Sequence, residues 1–226
     1  MKVGAIITAA GQGKRIGTSV PKQFLEIQGK PLLHHTLKVF SFCKLIDYVV
    51  LVMPQADVDL IGEDWMKEYG FVRKVVAGGE QRQDSVYNGF NSIEGGTDIV
   101  VVHDGVRPFT TSKMITATVE AAQQHGAAIT AIPVSDTLKQ VLDGFVKQTI
   151  SRDRLWRVQT PQAFRYTLLQ QAFKKAKKDS YYGTDEGSLI EYLGAQVKIV
   201  SGSELNIKVT RKEDLLLAES LLSRIK

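Results

Sequence analysis

The sequence predicts an α/β fold, with a doubly wound, mostly parallel β-sheet that is covered by helices on both faces. Short apolar runs rich in β-branched residues recur along the 226-residue chain, and stretches with helical periodicity separate them. Continuous apolar runs are typical of parallel strands whose two faces are both buried. Their alternation with helices is the pattern of a doubly wound sheet. A hydrophobic content of 43% and this chain length fit a single domain over residues 1–226.

Each expected strand is a run of mainly apolar residues, and each expected helix is a stretch in which apolar residues return every three or four positions. In chain order, the strands are predicted at residues 3–8, 46–53, 72–77, 97–102, 127–132 and 196–200. The helices are predicted at residues 31–42, 56–69, 83–92, 112–125, 166–178, 185–192 and 211–225. In such sheets ligands bind beyond the carboxyl ends of the strands, so the turns that follow the strands are the candidate site segments.

The alternation stops after Pro133, where residues 135–160 hold short polar and apolar runs. Within them, the segment 144–150 predicts a β-hairpin that protrudes as an arm. A hairpin of this size does not bury a core of its own, so we expect the arm to pack on another subunit or across the main domain. Trp156, near the end of this segment, is predicted to anchor the packing.

Composition argues against several classes of protein. The single cysteine, Cys43, cannot form an internal disulfide, and its apolar neighbours predict a buried thiol. No apolar run approaches the roughly 18 to 20 residues of a membrane helix, and the N-terminus lacks a signal-peptide pattern, so we expect a cytoplasmic protein without a membrane partner. The net charge of +5 is explained as well by a small anionic substrate as by nucleic acid, which we do not expect as a partner. No Cys/His cluster has zinc spacing, and His103 is predicted to be structural.

The first expected strand leads directly into a glycine-rich basic loop, residues 9–17. Glycines allow the backbone to approach phosphate groups and to direct N–H groups toward them. The third glycine, Gly17, comes one position late for a dinucleotide fingerprint, and the loop is not a Walker A loop. The loop therefore predicts a phosphate site or an ordinary strand-to-helix turn. Arg15 and Lys22 place cations beside it and favour the phosphate site.

Further candidate residues follow other expected strands. The turn that begins at Gly78 carries Arg82, which a simple helix start does not explain. Asp104 follows the fourth strand, where a carboxylate is well placed to hold Mg²⁺ on a triphosphate or to cap the next element. Arg107 is then a phosphate clamp or the partner of Asp104. Lys208 is predicted to lie in a short apolar strand, where a lysine calls for an anionic partner.

The strings around these positions resemble the 2-C-methyl-D-erythritol 4-phosphate cytidylyltransferase family of the non-mevalonate isoprenoid pathway. The resemblance runs from about residue 3 to residue 222. AAGQGKRIG and PKQFLEIQGKPLL are shared with the wider sugar nucleotidyltransferase group, while GGEQRQDSV, VHDGVRPF, LWRVQTPQAF, GTDEGSLIE and NIKVTRKEDLLLAE narrow the match. The combination is specific, whereas each string alone is not. It implies a Rossmann-related fold like that of the nucleotide-diphospho-sugar transferases, with a protruding β-arm.

The resemblance implies that the 4-phosphate of methylerythritol phosphate attacks the α-phosphorus of CTP in line, without a covalent enzyme intermediate. Pyrophosphate leaves, with Mg²⁺ present. Such a reaction needs positioned cations and a metal rather than a protein nucleophile. By motif match, Arg15 and Lys22 would stabilise the charge that grows on the α-phosphate. Arg152 and Lys208 would position the acceptor's phosphate, and Asp104 would serve the metal and the ligands.

The resemblance also assigns the two substrates to sets of residues. The implied nucleotide-binding residues are Ala9, Ala10, Gly11, Gly13, Lys22, Gly79, Glu80, Ser85, Asp104, Gly105 and Lys208. The implied acceptor-binding residues are Asp104, Arg107, Thr137, Arg152, Thr184 and Lys208. Family members form homodimers by exchanging the β-arm, which implies that Arg152 reaches the neighbouring subunit's site.

The sequence departs from the family at two places. Ile16 stands where a methionine is usual after the loop arginine, and Gly105-Val106 stands where two alanines usually follow the aspartate. Both changes are small and apolar and leave the charged groups in place. Gly105 is nevertheless expected to loosen its loop.

Three alternatives compete with this interpretation. Ribitol-5-phosphate cytidylyltransferase has the same fold and donor, but residues 82–85 and Val102 favour the isoprenoid enzyme. A non-catalytic nucleotide-binding protein would not need the full set of charged candidates. An NAD-binding dehydrogenase is disfavoured by the late third glycine and by the basic loop.

Overall fold

The computed structural model describes residues 1–11 and 20–224. Its strands are β1 (Val3–Thr8), β2 (Glu26–Ile27), β3 (Lys30–Pro31), β4 (Tyr48–Met53), β5 (Val72–Ala77), β6 (Ile99–Asp104), β7 (Ala127–Pro133), β8 (Leu138–Leu142), β9 (Phe145–Ile150), β10 (Trp156–Arg165) and β11 (Lys198–Ser201). Its helices are α1 (Leu32–Phe42), α2 (Gln55–Glu68), α3 (Arg82–Asn91), α4 (Ser112–His125), α5 (Tyr166–Lys178), α6 (Glu186–Leu193) and α7 (Lys212–Arg224). A 3-10 helix spans Lys22–Phe24. The predicted mostly parallel α/β fold is confirmed.

Within the described residues, the main sheet has seven strands in the order β11-β7-β10-β6-β1-β4-β5. Neighbouring strands are parallel except where β10 runs antiparallel between β6 and β7. The strands β4 and β6 are buried along their whole length, as their continuous apolar sequences predict. Two small antiparallel ribbons, β2–β3 and β8–β9, lie outside this sheet.

Helices pack on both faces of the sheet because successive side chains of a strand point to opposite faces. Ile7 belongs to one core cluster, which includes Leu37 of α1 and Val119 of α4. Its neighbour Ile6 belongs to the other, which includes Phe90 of α3 and Phe173 of α5. Cys43 is buried in the first cluster, which confirms the predicted core thiol.

Local sequence sets the ends of several helices. The hydroxyl of Thr111 accepts a hydrogen bond from the Met114 N–H and caps α4, which ends at Gly126 with φ of +91°. Asp185 and Ser188 form a capping box at the start of α6. None of the described helices combines the length and the apolar composition that crossing a membrane requires.

Strand β10 was not predicted, and residues 156–160 of the expected arm belong to it. Trp156 pairs with Pro133 of β7, and the pairing shifts register between Val158 and Gln162, around Pro161. A proline inside a strand argues against a central position, and the register shift is what accommodates it here. The arm proper is the β8–β9 hairpin.

One local prediction stays a prediction and another was wrong. Trp156 is 41% exposed in a single chain, so its packing as an anchor would need another subunit. Residues 206–210 do not form a strand, because they pair with no neighbouring strand and are held by isolated hydrogen bonds. The remaining predicted strands and helices are confirmed, with their described ends shifted by no more than two residues. Residue 225, the predicted end of the last helix, lies outside the described residues.

Candidate active site

A cavity of about 530 Å³ opens beyond the carboxyl ends of β1, β5 and β6. The described residues that line it come from the loop after β1, the turn after β5, the end of β6 and the segment before α7. They are Thr8, Ala9, Ala10, Gly11, Lys22, Gly79, Glu80, Gln81, Arg82, Ser85, Asp104, Val106, Lys208 and Thr210. Most of the predicted nucleotide-binding residues therefore surround one cavity, at the edge of the sheet where the fold predicts a ligand.

The loop after β1 forms one wall. The Ala9 N–H donates to the carbonyl of Val52 at 2.7 Å, which extends the sheet contact past the end of β1. A Cβ placed on Gly11 would lie 3.3 Å from Cε of Lys22, so a glycine here leaves room for the lysine side chain beside the loop. Gly13 and Arg15 lie outside the described residues.

The turn after β5 forms the facing wall and is held by Ser85. The Ser85 hydroxyl accepts from the Gly79 N–H at 3.0 Å and donates to the carbonyl of Gln81 at 3.1 Å. A Cβ on Gly79 would lie 2.3 Å from Cβ of Asp84, which only glycine avoids. Gln81 and Asp84 form the capping box of α3. The predicted residues Gly79 and Ser85 thus shape the turn, and Glu80 stands exposed at the cavity edge.

Asp104 is almost fully buried and faces three cations. Its Oδ2 lies 3.0 Å from Nζ of Lys208 and 3.1 Å from Nε of Arg107, and its Oδ1 lies 3.7 Å from Nε of Arg82. Burial alone would raise the pKa of Asp104, but the combined attraction of these cations holds it well below its usual range. Asp104 is therefore ionised at neutral pH, and Lys208 has the anionic partner that the sequence predicts. Arg107 is the partner of Asp104, one of the two roles left open for it.

Arg82 joins this cluster to helix α6. Its guanidinium donates to both carboxylate oxygens of Glu186, at 2.8 and 2.9 Å. Glu186 is 1% exposed. Burial lowers the pKa of Arg82, but Glu186 and Asp104 outweigh it and raise the pKa further above its usual value. Asp185 also lies close enough to act on Arg82. Arg82, Arg107 and Lys208 nevertheless place three cations together, which can contact an anionic ligand.

His103 is structural, as predicted, and it fixes the backbone of Asp104. The Asp104 N–H donates to the Thr160 hydroxyl at 3.0 Å, and that hydroxyl lies 3.0 Å from Nδ1 of His103. Nε2 of His103 lies 3.3 Å from the carbonyl of Arg107. A neutral ring with its hydrogen on Nε2 satisfies all three contacts, and burial lowers the pKa of His103 to about 4.

Asp104 also lines a second cavity, of about 390 Å³. It shares Arg82, Asp104 and Lys208 with the first cavity, so these charged side chains form a common wall. Arg107 and Thr184, two predicted acceptor-binding residues, line it together with Thr160, Gln159, Gln162, Asp185, Ser188 and other residues of β10 and α6.

Three predicted site residues line neither of these two cavities in the described part of this chain. Gly105 is buried, and its N–H donates to the Thr8 carbonyl at 2.9 Å. A Cβ there would lie 3.0 Å from Cδ1 of Leu33, so the loop at Gly105 is closely packed rather than loosened. Thr137 and Arg152 are exposed near the base of the arm, where the Arg152 guanidinium donates to the carbonyl of Ser135.

Sequence reasoning missed the residues that support the charged cluster from behind. Glu186 and Thr160 come from α6 and β10, which are distant in sequence from Asp104. The sequence signalled only part of this cluster, since Arg82 stood out in the turn that begins at Gly78 and Glu186 did not stand out. Thr160 was missed because β10 itself was missed.

The carboxylates of the larger cavity suit a metal that arrives with a triphosphate. Asp104 and Glu80 are its acidic lining residues, and the described residues contain no group of three or more His, Cys, Asp or Glu that could hold a metal ion. Mg²⁺ is usually bound through one or two carboxylates plus substrate phosphates, with water completing its shell. The carboxylate of Asp104 fits a Mg²⁺ ion that takes most of its ligands from the substrate and water, rather than one bound by protein ligands alone.

A mostly parallel sheet with a glycine-walled, cation-lined cleft beyond its carboxyl ends is typical of α/β enzymes that handle phosphorylated nucleotides, and the chain is a nucleotidyltransferase. The family model of IspD, 2-C-methyl-D-erythritol 4-phosphate cytidylyltransferase, matches residues 3–224. The chain belongs to this family.

Individual relatives agree with that assignment. The enzyme of this name from Syntrophus aciditrophicus is 47% identical over 99% of this chain and 97% of its own length. The one from Geobacillus thermodenitrificans is 48% identical over 99% and 98%. Among solved structures, the 4-diphosphocytidyl-2C-methyl-D-erythritol synthase of Anaerococcus prevotii superimposes with a TM-score of 0.86, at 34% identity and 99% coverage of both chains.

Proposed function

We propose that this chain transfers CMP from CTP to 2-C-methyl-D-erythritol 4-phosphate, releasing pyrophosphate and forming 4-diphosphocytidyl-2-C-methyl-D-erythritol. The observation that carries the proposal is the wall shared by the two cavities, made by Arg82, Asp104 and Lys208. A donor in the larger cavity and an acceptor in the smaller one would meet at this charged wall. Both reacting groups are phosphates, so the cations of this wall can serve both.

The larger cavity is proposed to hold CTP. Glycine-rich turns after β1 and β5 allow the backbone to approach the triphosphate and the nucleoside. In this proposal the nucleotide contacts come from Ala9, Ala10, Gly11, Gly13, Lys22, Gly79, Glu80, Ser85, Asp104 and Lys208. Gly105, which lines neither cavity, supports the site from within the fold. Lys22 and Arg15 would stabilise the charge that grows on the α-phosphate. The assignment of Arg15 rests on its sequence motif alone, because it lies outside the described residues.

The smaller cavity is proposed to hold the acceptor. Arg107 and Lys208 supply cations for its phosphate, and Thr184 supplies a hydroxyl. An acceptor phosphate needs no general base to become a nucleophile, because a phosphate monoester is largely ionised at neutral pH. The step is then direct, in-line displacement: the phosphate oxygen bonds to the α-phosphorus, and the bond to pyrophosphate breaks on the opposite side.

Asp104 is the residue proposed to hold Mg²⁺ with the triphosphate. The ion would supply further positive charge to the phosphate oxygens. Because Lys208 and Arg107 both contact Oδ2 of Asp104 closely, Oδ1 is the oxygen with the more distant partner. Asp104 could therefore bind the metal through Oδ1 while Oδ2 keeps its ion pairs with Lys208 and Arg107.

The protein is proposed to act as a cytoplasmic homodimer of single-domain subunits whose β-arms, the β8–β9 hairpins within the predicted segment 135–160, are exchanged. The arm supports this because its hairpin exposes large apolar side chains, including Leu142 at 60% and Phe145 at 80%. Exposed apolar surface of this kind marks an interaction site. Thr137 and Arg152 would then complete the site of the neighbouring subunit.

The activity is tested by incubating the purified protein with CTP, MgCl₂ and either methylerythritol phosphate or ribitol 5-phosphate, and by measuring pyrophosphate release. We expect turnover with methylerythritol phosphate. Turnover with ribitol 5-phosphate alone would overturn the proposed acceptor. Tight CTP binding with neither acceptor consumed would instead point to a non-catalytic nucleotide-binding protein.

A further inference from the structure

The segment that carries Lys208 has no strand partner, although its lysine forms the closest of the three ion pairs to Asp104. A lysine side chain has many rotamers, and its charge is well placed only if its backbone is fixed. Beyond Lys208, the Val209 N–H donates to the carbonyl of Val106 at 2.9 Å. The anchor on the other side is Asn206.

Asn206 is fully buried and connects three parts of the site. Its side-chain amide donates to the carbonyl of Thr160 at 2.9 Å and to Oε1 of Gln159 at 3.3 Å. Its main-chain carbonyl accepts from Nη1 of Arg107 at 2.8 Å. The side chain therefore fixes the segment to β10, and the backbone of the same residue orients the guanidinium that contacts Asp104.

Thr160 closes the connection. The same residue whose carbonyl accepts from Asn206 has the hydroxyl that accepts from the Asp104 N–H. The backbones of Asp104 and of the Lys208 segment are thus both hydrogen-bonded to Thr160 of β10, and Arg107 is bonded to that segment through Asn206. Among the described residues, Oδ1 of Asn206 is buried without a hydrogen-bond partner. A buried polar atom left unpaired costs stability, so an asparagine here is not explained by stability alone.

We propose that Asn206 is a positioning residue for phosphate transfer, which sets Lys208 and Arg107 around Asp104 through its hydrogen bonds to Thr160 and Gln159. The inference rests on the proposed function for its catalytic consequence. Small displacements of positioning groups cost large factors in rate, because the reacting atoms must be aligned.

The test compares Asn206→Asp with the wild type. The substitution keeps the side-chain size but removes both N–H donations and places a carboxylate against the carbonyl of Thr160. We expect kcat/KM for methylerythritol phosphate to fall at least about tenfold. The matched control is Leu205→Ala, since Leu205 is adjacent, 51% exposed and outside the network. It should remain within about twofold of the wild type.

A double-mutant cycle separates positioning from general destabilisation. If Asn206 acts partly through Lys208, Asn206→Asp should lower kcat/KM by a smaller factor in the Lys208→Ala background than in the wild type. Fully independent effects, or an Asn206→Asp variant as active as the wild type, would overturn the proposal. If Asn206→Asp does not fold, Gln159→Met removes the neighbouring amide at similar size and should show the same coupling to Lys208→Ala.

Amide hydrogen exchange tests the inference without turnover. Exchange across residues 206–210 should be faster in Asn206→Asp than in Leu205→Ala, while exchange in β1 stays unchanged. Unchanged exchange across 206–210 would overturn the positioning role. Absence of CMP transfer by the wild type would overturn the proposed function, and the exchange result would still decide whether Asn206 anchors the segment.

Discussion

Lys22 owes its place in the cavity to its neighbours along the chain. Pro21 precedes it at the start of the 3-10 helix, and the missing side chain of Gly11 leaves space for its aliphatic carbons. A lysine ammonium is a compact point charge that suits a phosphate whose charge is growing. If Lys22 acts in the transition state, removing its charge should slow CMP transfer more than it weakens CTP binding.

Replacing Lys22 with Ala should lower kcat/KM for CMP transfer at least about tenfold, which is about 1.4 kcal/mol of transition-state stabilisation. Steady-state kinetics with varied CTP would measure it. Lys44→Ala is the control, because Lys44 is exposed and lines neither cavity of the described residues. A decrease smaller than tenfold in Lys22→Ala would contradict the transition-state role.

His103 makes the folding stability depend on pH. Its pKa falls from the ordinary value of 6.5 to about 4, so the unfolded chain binds a proton before the folded protein does. The free energy of unfolding must therefore decrease as the pH falls from above 6.5 toward 4. Between pH 7.5 and 5 the contribution of His103 is about 2 kcal/mol. The charged groups that face the ring are Asp104, Arg107 and Lys208.

Denaturant titrations at pH 7.5 and pH 5 would measure this dependence. His103→Asn should be less stable at pH 7.5, and its stability should change less between the two pH values by about 2 kcal/mol. His125→Asn, at the exposed end of α4, should keep the pH dependence of the wild type. An identical pH dependence in His103→Asn would show that the ring is not held neutral.

At the scale of elements, the ion pair between Arg82 and Glu186 joins the start of α3 to the start of α6. The turn after β5 begins α3, so this pair also connects the nucleotide side of the cleft to the wall of the second cavity. Glu186 is buried while the Arg82 side chain is 31% exposed. Removing the charge of the carboxylate leaves the partly buried Arg82 cation with only Asp104 and Asp185 nearby.

Glu186→Gln should therefore destabilise the protein by about 3 kcal/mol, because breaking one partner of a buried ion pair leaves its charge uncompensated. Thermal or denaturant unfolding would measure the loss. Glu191→Gln, on the same helix but exposed, is the matched control and should change stability by less than about 0.5 kcal/mol. Equal effects of the two substitutions would contradict the structural role of the pair.

At the scale of the whole molecule, the β-arm bears on how the proposed homodimer would build its active sites. In one chain, Arg152 lies at the base of the β8–β9 hairpin and outside the cavities that the described residues line. If the proposed homodimer is correct, each complete site contains Lys22 from one subunit and Arg152 from the other. A two-fold dimer then has two such sites, related by symmetry.

Subunit complementation tests this arrangement. Lys22→Ala and Arg152→Ala homodimers should each be nearly inactive, because every site lacks one cation. Coexpression of the two variants should restore about a quarter of the wild-type activity, since half the dimers are mixed and each has one intact site. Sites completed within a single chain would show no recovery, and a fully active monomer would also rule out the shared site.

The sequence alone determined most of the framework and the residue types of the site. Continuous apolar runs predicted the parallel strands, because burial on both faces leaves no alternation. Gly11, Gly79 and Asp104 could be recognised from the local sequence. A close approach of the backbone to a ligand requires glycine, and a carboxylate at the end of a strand lies where ligands bind. The family strings added the reaction, which local patterns cannot specify.

Only the tertiary structure decided which charges meet. Strand β10 enters the sheet antiparallel between β6 and β7, and its proline and polar residues concealed it in the sequence. Thr160 on that strand, Glu186 on α6 and Asn206 before α7 reach the site from 56, 82 and 102 positions beyond Asp104, which follows from their numbering. Contacts across such separations depend on how elements pack, so the glycine-rich loop and Asp104 were predictable while their support was not.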